Sequence, residues 1–426
     1  MRRIQLISLF LIFSALIGIG AVTTHSVSNE SQIDSKVLAR ISDIVKQGMD
    51  AKAFPGCQVL VMKEGEVVYD SCFGYYTYEK KQPVTSTTLY DLASLTKTTG
   101  TLLAVMKLYD EGAIRLTDSV SRYLPFLLGT DKSNITLYEL LVHESGLPAS
   151  LNASQLLNLN DPIHRMFSPV PTKEYTLQAA DSLYLRVDIH DAAMSQLAGM
   201  RLNSKKYLYS CLNFIVLKEV VEAVSHCPMD KYLDSLFYQP MGLKTTAFLP
   251  LKKHKKEEIA PTLIKDNLRK SLIQGFVHDP DAALLGGVSG NAGLFSTAKD
   301  VATVYQMLLN GGELNGRRYL SAETCHLFTT TTSKSGRRGL GFDKPVTTNP
   351  ANSPCCASAP ASVYGHTGYT GTCCWVDPTN RLIYVFLSNR TFPSDGVNKL
   401  ARLNIRTNIQ ETIYQSIKQR QNLATR

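Results

Sequence analysis

Two hydrophobic periods divide the chain. Near the N-terminus Ile33, Val37, Ile41, Ile44 and Val45 recur at helical spacing, which predicts one amphipathic helix ending at Gly48. The β-rich runs 58–63 and 66–69 then flank Glu64 and Gly65, a hairpin signal. The same pattern returns at the other end. Residues 372–376 and 382–387 read as strands around a turn at Asp377, Pro378, Thr379 and Asn380, and Leu400, Ile405, Ile409, Ile413 and Ile417 mark a closing helix. Strands near both ends, each with a helix outside it, imply an α/β fold: one antiparallel sheet flanked by terminal helices, built from residues 31–92 and 285–426.

Between these parts, 95–109, 137–141 and 212–224 read as helices and 151–203 has no clean period, so residues 93–284 are expected to form a mainly helical region. An active-site cleft is expected at the junction. Gly286, Gly287, Gly290 and Gly293 crowd a tight turn, and Thr297 with Asp300 resembles a capping box for a helix ending at Asn310. Met1, Arg2 and Arg3 followed by the apolar run 4–19 read as a secretory signal peptide over residues 1–20, which would engage the export machinery and leave the chain periplasmic or secreted. A retained anchor helix is the alternative, and no later stretch of 18 apolar residues follows.

Composition narrows the function classes. With 426 residues, 44% hydrophobic and 19% charged, the chain has ample material for a core and is neither disordered nor fibrous. The net charge of +9 includes Arg2, Arg3 and the cluster Lys252, Lys253, Lys255 and Lys256, which Glu257 and Glu258 close, so no nucleic-acid partner is expected. Nine cysteines are an odd number, and the adjacent pairs Cys355, Cys356 and Cys373, Cys374 have no CxxC partner or suitably spaced histidines. Cys373 and Cys374 fall in a strand, where they point to opposite faces. No metal site is expected, and with no P-loop, dinucleotide fingerprint or HExxH, no cofactor either.

Ser94 and Lys97 stand three apart at the start of an apolar helical run, one turn apart on the same face. A serine hydroxyl becomes a useful nucleophile when a neighbour takes its proton, and a lysine whose pKa is depressed by burial and nearby positive potential can do so. Two further elements follow in order: Tyr209, Ser210, Cys211, Leu212 and Asn213 before a helix, and His366, Thr367, Gly368, Tyr369, Thr370 and Gly371 leading into a strand.

Together these resemble the three motifs of serine hydrolases of the penicillin-binding-protein and class C β-lactamase-like type. Residues 54–56, 90–94, 141–148, 293–297 and 365–368 extend the likeness over nearly the whole mature chain. Residues 274–279, 339–345 and 385–390 are similar to the β-lactamase-like modules associated with family 3 β-N-acetylglucosaminidases, some of which are muramyl-peptide amidases. The resemblance implies a β-lactamase/transpeptidase-like fold and an exported serine hydrolase working through an acyl-enzyme. It also implies a small-molecule or muropeptide substrate and a functional link to a glycoside hydrolase. Ser94 would be the nucleophile, Lys97 its proton acceptor and Tyr209 the acid/base that relays the proton. The N–H groups of Ser94 and Tyr369 would form the oxyanion hole, and Cys211, His366, Thr367 and Gly368 would bind substrate.

Two departures bear on substrate. Cys211 stands where the resemblance implies an amide, and a thiol is a poor replacement for it. Asn213, on the same helical face, is the candidate substitute. His366 replaces a lysine common in β-lactamases, and with it a fixed charge for a substrate carboxylate. Amidase or peptidase activity on peptidoglycan fragments is therefore favoured, with carboxylesterase or β-lactamase as the alternative. The alternative of another class is a non-catalytic sensor that binds cell-wall ligands or penicillin. His143, His278, Asp91 and Asp279 are expected to be structural.

Overall fold

The computed structural model describes residues 33–161, 164–266, 268–349 and 352–424. The expected signal peptide, 1–20, lies outside these residues. Five strands form one antiparallel sheet: β1 (Gly56–Lys63), β2 (Glu66–Gly74), β3 (Tyr364–Thr367), β4 (Cys373–Asp377) and β5 (Leu382–Ser388), in the spatial order β3-β4-β5-β1-β2. The two ends of the chain meet where β1 pairs with β5, Val59 opposite Phe386. The segment 366–371 leads into β4 as expected, and His366 and Thr367 also end β3, an edge strand too short for periodicity to reveal.

Alternation divides the apolar residues between two cores. Val59 and Val61 of β1, Cys373 and Trp375 of β4, and Tyr384 and Phe386 of β5 face one side. Cys374, Val376, Ile383, Val385 and Leu387 face the other. The first side is covered by the helices α1 (Ile41–Asp50) and α6 (Ile405–Ala424), which contribute Ile41, Val45, Ile405, Ile409 and Ile413. The second side rests on α5 (Ala298–Leu309), whose Val301 and Tyr305 are buried there. Because β5 is buried on both faces, alternation alone cannot fix its register. The turns do. Glu64 and Gly65 both take the left-handed conformation of a tight hairpin, and the Asp377 carboxylate accepts the N–H groups of Thr379 and Asn380 at 2.9 and 3.2 Å.

Several elements differ from the pattern reading. Gly48 does not end its helix; a Cβ there would stand 2.8 Å from the Phe54 ring, so glycine permits close packing and the helix continues to Asp50. The closing helix is broken at Asn404, with φ of +53°. The aperiodic stretch 151–203 contains a small sheet of Phe167–Ser168, Tyr175–Ala180 and Leu183–Arg186. Its strands are short and irregular, with register shifts that hide a period of two. The helices α2 (Leu102–Asp110), α3 (Leu137–Leu141) and α4 (Cys211–Ser225) lie where helical spacing predicts, but 93–101 is not regular α-helix. Among the described residues no helix is long and apolar enough to cross a membrane, and all nine cysteines are free thiols.

Candidate active site

The chain reaches Ser94 through a strained turn. Tyr90–Asp91 pairs with Leu294–Ser296, and Ala93 then takes φ of +47°, which an L-residue holds only when its surroundings impose it. Asp91 imposes it: one carboxylate oxygen accepts the Ala93 N–H at 2.8 Å and the other the His278 N–H at 2.6 Å. Burial pushes the Asp91 carboxyl up to about 6, and those two N–H groups work against the rise. Ser94 is half-buried, while Leu95 to Thr101 are wholly buried. A wide π-type turn, Lys97–Thr101, carries the lysine inward.

Lys97 Nζ donates to Ser94 Oγ at 3.0 Å and to the Asn291 carbonyl at 2.9 Å, and lies 3.8 Å from Cys211 Sγ. Tyr209 Oη donates to Ser94 Oγ at 2.9 Å. A hydroxyl held between an amine and a phenol is an arrangement that can lose its proton to one and receive a proton from the other.

The start of α4 is clamped by His143. Its Nδ1 accepts from the Ser210 N–H at 3.2 Å and the Asn213 Nδ2 at 2.9 Å, its carbonyl accepts the Leu208 N–H at 2.9 Å, and its ring lies 4.7 Å from that of Tyr209. Ser210 caps the helix by accepting the Leu212 N–H at 3.2 Å. Asn213 Oδ1 takes the Ser145 hydroxyl at 2.5 Å. Asn213 is thus consumed in this scaffold and does not supply the amide missing at Cys211.

The glycine turn aims the Asn291 carbonyl. A Cβ on Gly290 would fall 1.8 Å from the Phe214 carbonyl, so only glycine lets the turn press against α4. Asn291 Nδ2 donates to Asp279, which also caps the helix Pro280–Leu284 by accepting the Ala282 N–H. On the opposite wall the loop after β3 is stitched to the Ser94 turn: Thr370 donates to the Asp91 carbonyl at 2.7 Å and Thr372 to the Leu92 carbonyl at 2.9 Å. A Cβ on Gly368 would meet the Leu92 carbonyl at 2.4 Å. Thr367 is half-buried at the end of β3, and the Tyr369 N–H has no partner among the described residues. The Tyr369 ring lies under the Arg390 guanidinium at 4.3 Å.

His366 is buried, with its ring 6.1 Å from that of Tyr209. The fixed charge that its position lacks is present nearby. The Arg338 guanidinium, 3% exposed, lies 3.1 Å from His366 Nε2 and 5.0 Å from the Tyr209 ring centre. Arg338, Asn291 and His143 as a clamp are what the motif reading missed. The glycine turn was visible, but not which carbonyl it would aim, and Arg338 is 28 residues from His366 with no spacing to mark it.

The electrostatics correct one expectation. Burial pulls the Lys97 amine down, but Cys211, Tyr209 and Asp279 push harder, so Lys97 lies above the ordinary lysine value rather than below it. The neighbours that act most strongly on it are acids, which raise it, rather than positive groups that would depress it. Burial raises the Cys211 thiol, with Lys97 opposing. Burial first, and Arg338 second, hold both His143 and His366 well below the usual imidazole range.

The family profile described as Beta-lactamase matches residues 41–407. An Escherichia coli protein named "Putative D-alanyl-D-alanine carboxypeptidase" is 32% identical over 396 residues, covering 87% of this chain and 86% of that one. Among solved structures, EstCE1, titled a hydrolase with promiscuous acyltransferase activity, superposes with a TM-score of 0.64 at 22% identity, covering 89% of this chain and 99% of its own. A penicillin-binding-protein homologue from Caulobacter crescentus gives 0.64 at 21% identity, covering 92% and 100%.

Proposed function

The chain belongs to the beta-lactamase family of serine hydrolases, and we propose that it is an exported member that cleaves a peptidoglycan-derived amide through an acyl-enzyme on Ser94. The observation that carries this reading is the pair of contacts on one hydroxyl, Lys97 Nζ at 3.0 Å and Tyr209 Oη at 2.9 Å. In the proposed reaction Ser94 Oγ attacks the substrate carbonyl and its proton passes to the unprotonated Lys97 amine. The N–H groups of Ser94 and Tyr369 receive the oxyanion, a donor of this kind contributing about 3 kcal/mol. Tyr209 delivers a proton to the departing amine as the C–N bond breaks, and Lys97 restores it. Water then attacks the ester, giving up its proton to the same relay, and Ser94 recovers its own.

The name of the E. coli relative supports a D-alanyl amide, and so does the cation at Arg338 behind His366. One observation favours a second reading, carboxylesterase: Cys211 offers no amide to an acylamino group, and an ester does not need one. The test is mass spectrometry of the protein incubated with defined muropeptides, a D-Ala-D-Ala peptide, a short-chain ester and nitrocefin. An adduct on Ser94 with the peptides, absent in Ser94→Ala, is expected. Turnover of the ester alone would select the esterase. No adduct and no turnover with any of them would leave a binding protein, and activity abolished by a chelator and restored by zinc would overturn the serine mechanism.

A further inference from the structure

We propose that Arg338 is the fixed cation of this site and that His366 is its neutral acceptor, so that positions 338 and 366 form a reciprocal pair, positive at one and uncharged at the other. The inference rests on the reading of Ser94, Lys97 and Tyr209 as hydrolytic machinery. Both ring nitrogens of His366 are committed. Nδ1 lies 2.6 Å from the Thr367 carbonyl, which only accepts, so Nδ1 carries the proton. Nε2 lies 3.1 Å from Arg338 Nη1, which only donates, so Nε2 accepts. One proton serves both bonds and the imidazole is neutral. A second proton would set an N–H against the guanidinium.

The surroundings leave the pair with excess positive charge. Among the described residues Asp343 is the carboxylate paired with Arg338, and it lies 2.7 Å from Arg337 and 3.7 Å from Arg338, so one anion serves two cations. Arg337, Lys97 and the neutral His143 also act on His366, with Tyr209 beside it and Tyr207 taking the Arg338 Nε–H at 3.4 Å. A lysine at 366 would bring an ammonium against the buried guanidinium, where like charges repel strongly. The histidine therefore does not lose the motif's charge. It passes the charge to Arg338, which acts through Tyr209 and His366 as a positioning residue.

The test compares wild type with Arg338→Met, Arg338→Lys, His366→Lys and the double variant Arg338→Met/His366→Lys, reading kcat/KM against pH on whichever substrate of the panel is cleaved. Arg338→Met is expected to move the ascending limb toward alkaline pH by about one unit, a loss of about tenfold near neutrality, because a charge at this range shifts a neighbour's proton affinity by that order. Arg338→Lys should keep the profile in place. His366→Lys should lose activity, and the double variant should recover beyond either single change. An unmoved profile in Arg338→Met, or losses that simply multiply in the double variant, would overturn the pair. Nitrogen NMR of the His366 ring reads the same claim without turnover. The wild-type ring should stay neutral at pH 5 with its proton on Nδ1, and in Arg338→Met it should become protonatable nearer the ordinary value. A wild-type ring protonated on both nitrogens at pH 5 would refute the proposal even where His366→Lys fails to fold. A wild type that cleaves nothing in the panel but keeps this tautomer would instead count against the hydrolase reading.

Discussion

The two walls of the cleft handle protons in opposite ways. On the wall built by the Ser94 turn and α4, four groups can exchange protons with one another: Ser94, Lys97, Tyr209 and Cys211 form one connected cluster. On the wall built by β3 and the segment before it, the donors and acceptors are assigned. Arg338 only donates, the Asp343 carboxylate only accepts, and His366 has one proton for two committed nitrogens. The difference teaches a division of labour. A reaction that shuttles a proton needs a mobile set, and it needs a fixed field to bias where that proton rests.

Breaking the mobile wall should have the largest effect. Ser94→Ala and Lys97→Ala are each expected to lower kcat/KM by about a thousandfold or more, and the double variant should be little worse, because the two groups act as a unit. Additive losses in initial-rate assays would mean that Lys97 does not take the serine proton. The raised Lys97 amine adds a sign to this prediction: only its unprotonated fraction accepts, so the acylation rate should keep climbing as pH rises above neutrality. A rate already flat at pH 7 would show that the lysine is unprotonated at rest. Tyr209→Phe comes next. It keeps the ring that faces Arg338 and His143 and removes only the hydroxyl, and a loss of about a hundredfold in kcat is expected on an amide. The loss should be smaller on an activated ester, whose leaving group needs no proton.

A smaller change sharpens the boundary between the walls. Cys211 is half-buried with its sulfur 3.8 Å from Lys97 Nζ, so it faces the site rather than a closed core. Cys211→Asn restores an amide there. A hydrogen bond of this kind is worth about 1 kcal/mol net, so the labelling rate of Ser94 by a fluorescent penicillin should rise several-fold with the melting temperature little changed. A large drop in stability with no gain in labelling would assign the thiol to packing.

How much of this was legible in the sequence follows the same division. The mobile wall was legible because its residues are tied to local patterns: Ser94 and Lys97 by helical spacing, Tyr209 by its place before α4, and the sheet by runs of β-formers at both ends. The fixed wall was not. Arg338 meets His366 only because β3 pairs with β4 and the segment at 338–343 closes against Gly365, a meeting of chain parts that no short window contains. Asn213 shows the converse limit. Its spacing of four from Tyr209 suggests one helical face, but Tyr209 precedes the N-cap Ser210 and lies outside α4, and His143 and Ser145 claim the Asn213 amide. The direction of the Lys97 shift was missed because it depends on which neighbours surround the amine, not on its position in the motif.

The smallest expected effect concerns a buried acid behind the mobile wall. Asp281 sits in the short helix capped by Asp279, and both its oxygens lie 3.3 Å from the Leu151 N–H. Burial and then the Asp279 charge push its carboxyl up to about 7, from an ordinary value of 3.8. The sign follows from linkage. The folded state holds this proton more tightly than the unfolded chain, so the contribution to stability is complete below the ordinary value and is lost as pH rises through about 7. Asp281→Asn keeps an oxygen for the Leu151 N–H and cannot ionise. Its melting temperature should match wild type at pH 4, exceed it increasingly between pH 4 and 7, and hold a constant lead above that. Asp281 makes no hydrogen bond to Ser94, Lys97 or Tyr209 among the described residues, so at pH 5, where its carboxyl is mostly neutral as the amide is, activity should change little. A lead that is the same at pH 4 and pH 8 would mean that the substitution acts through packing, and that Asp281 belongs with the groups whose protons do not move.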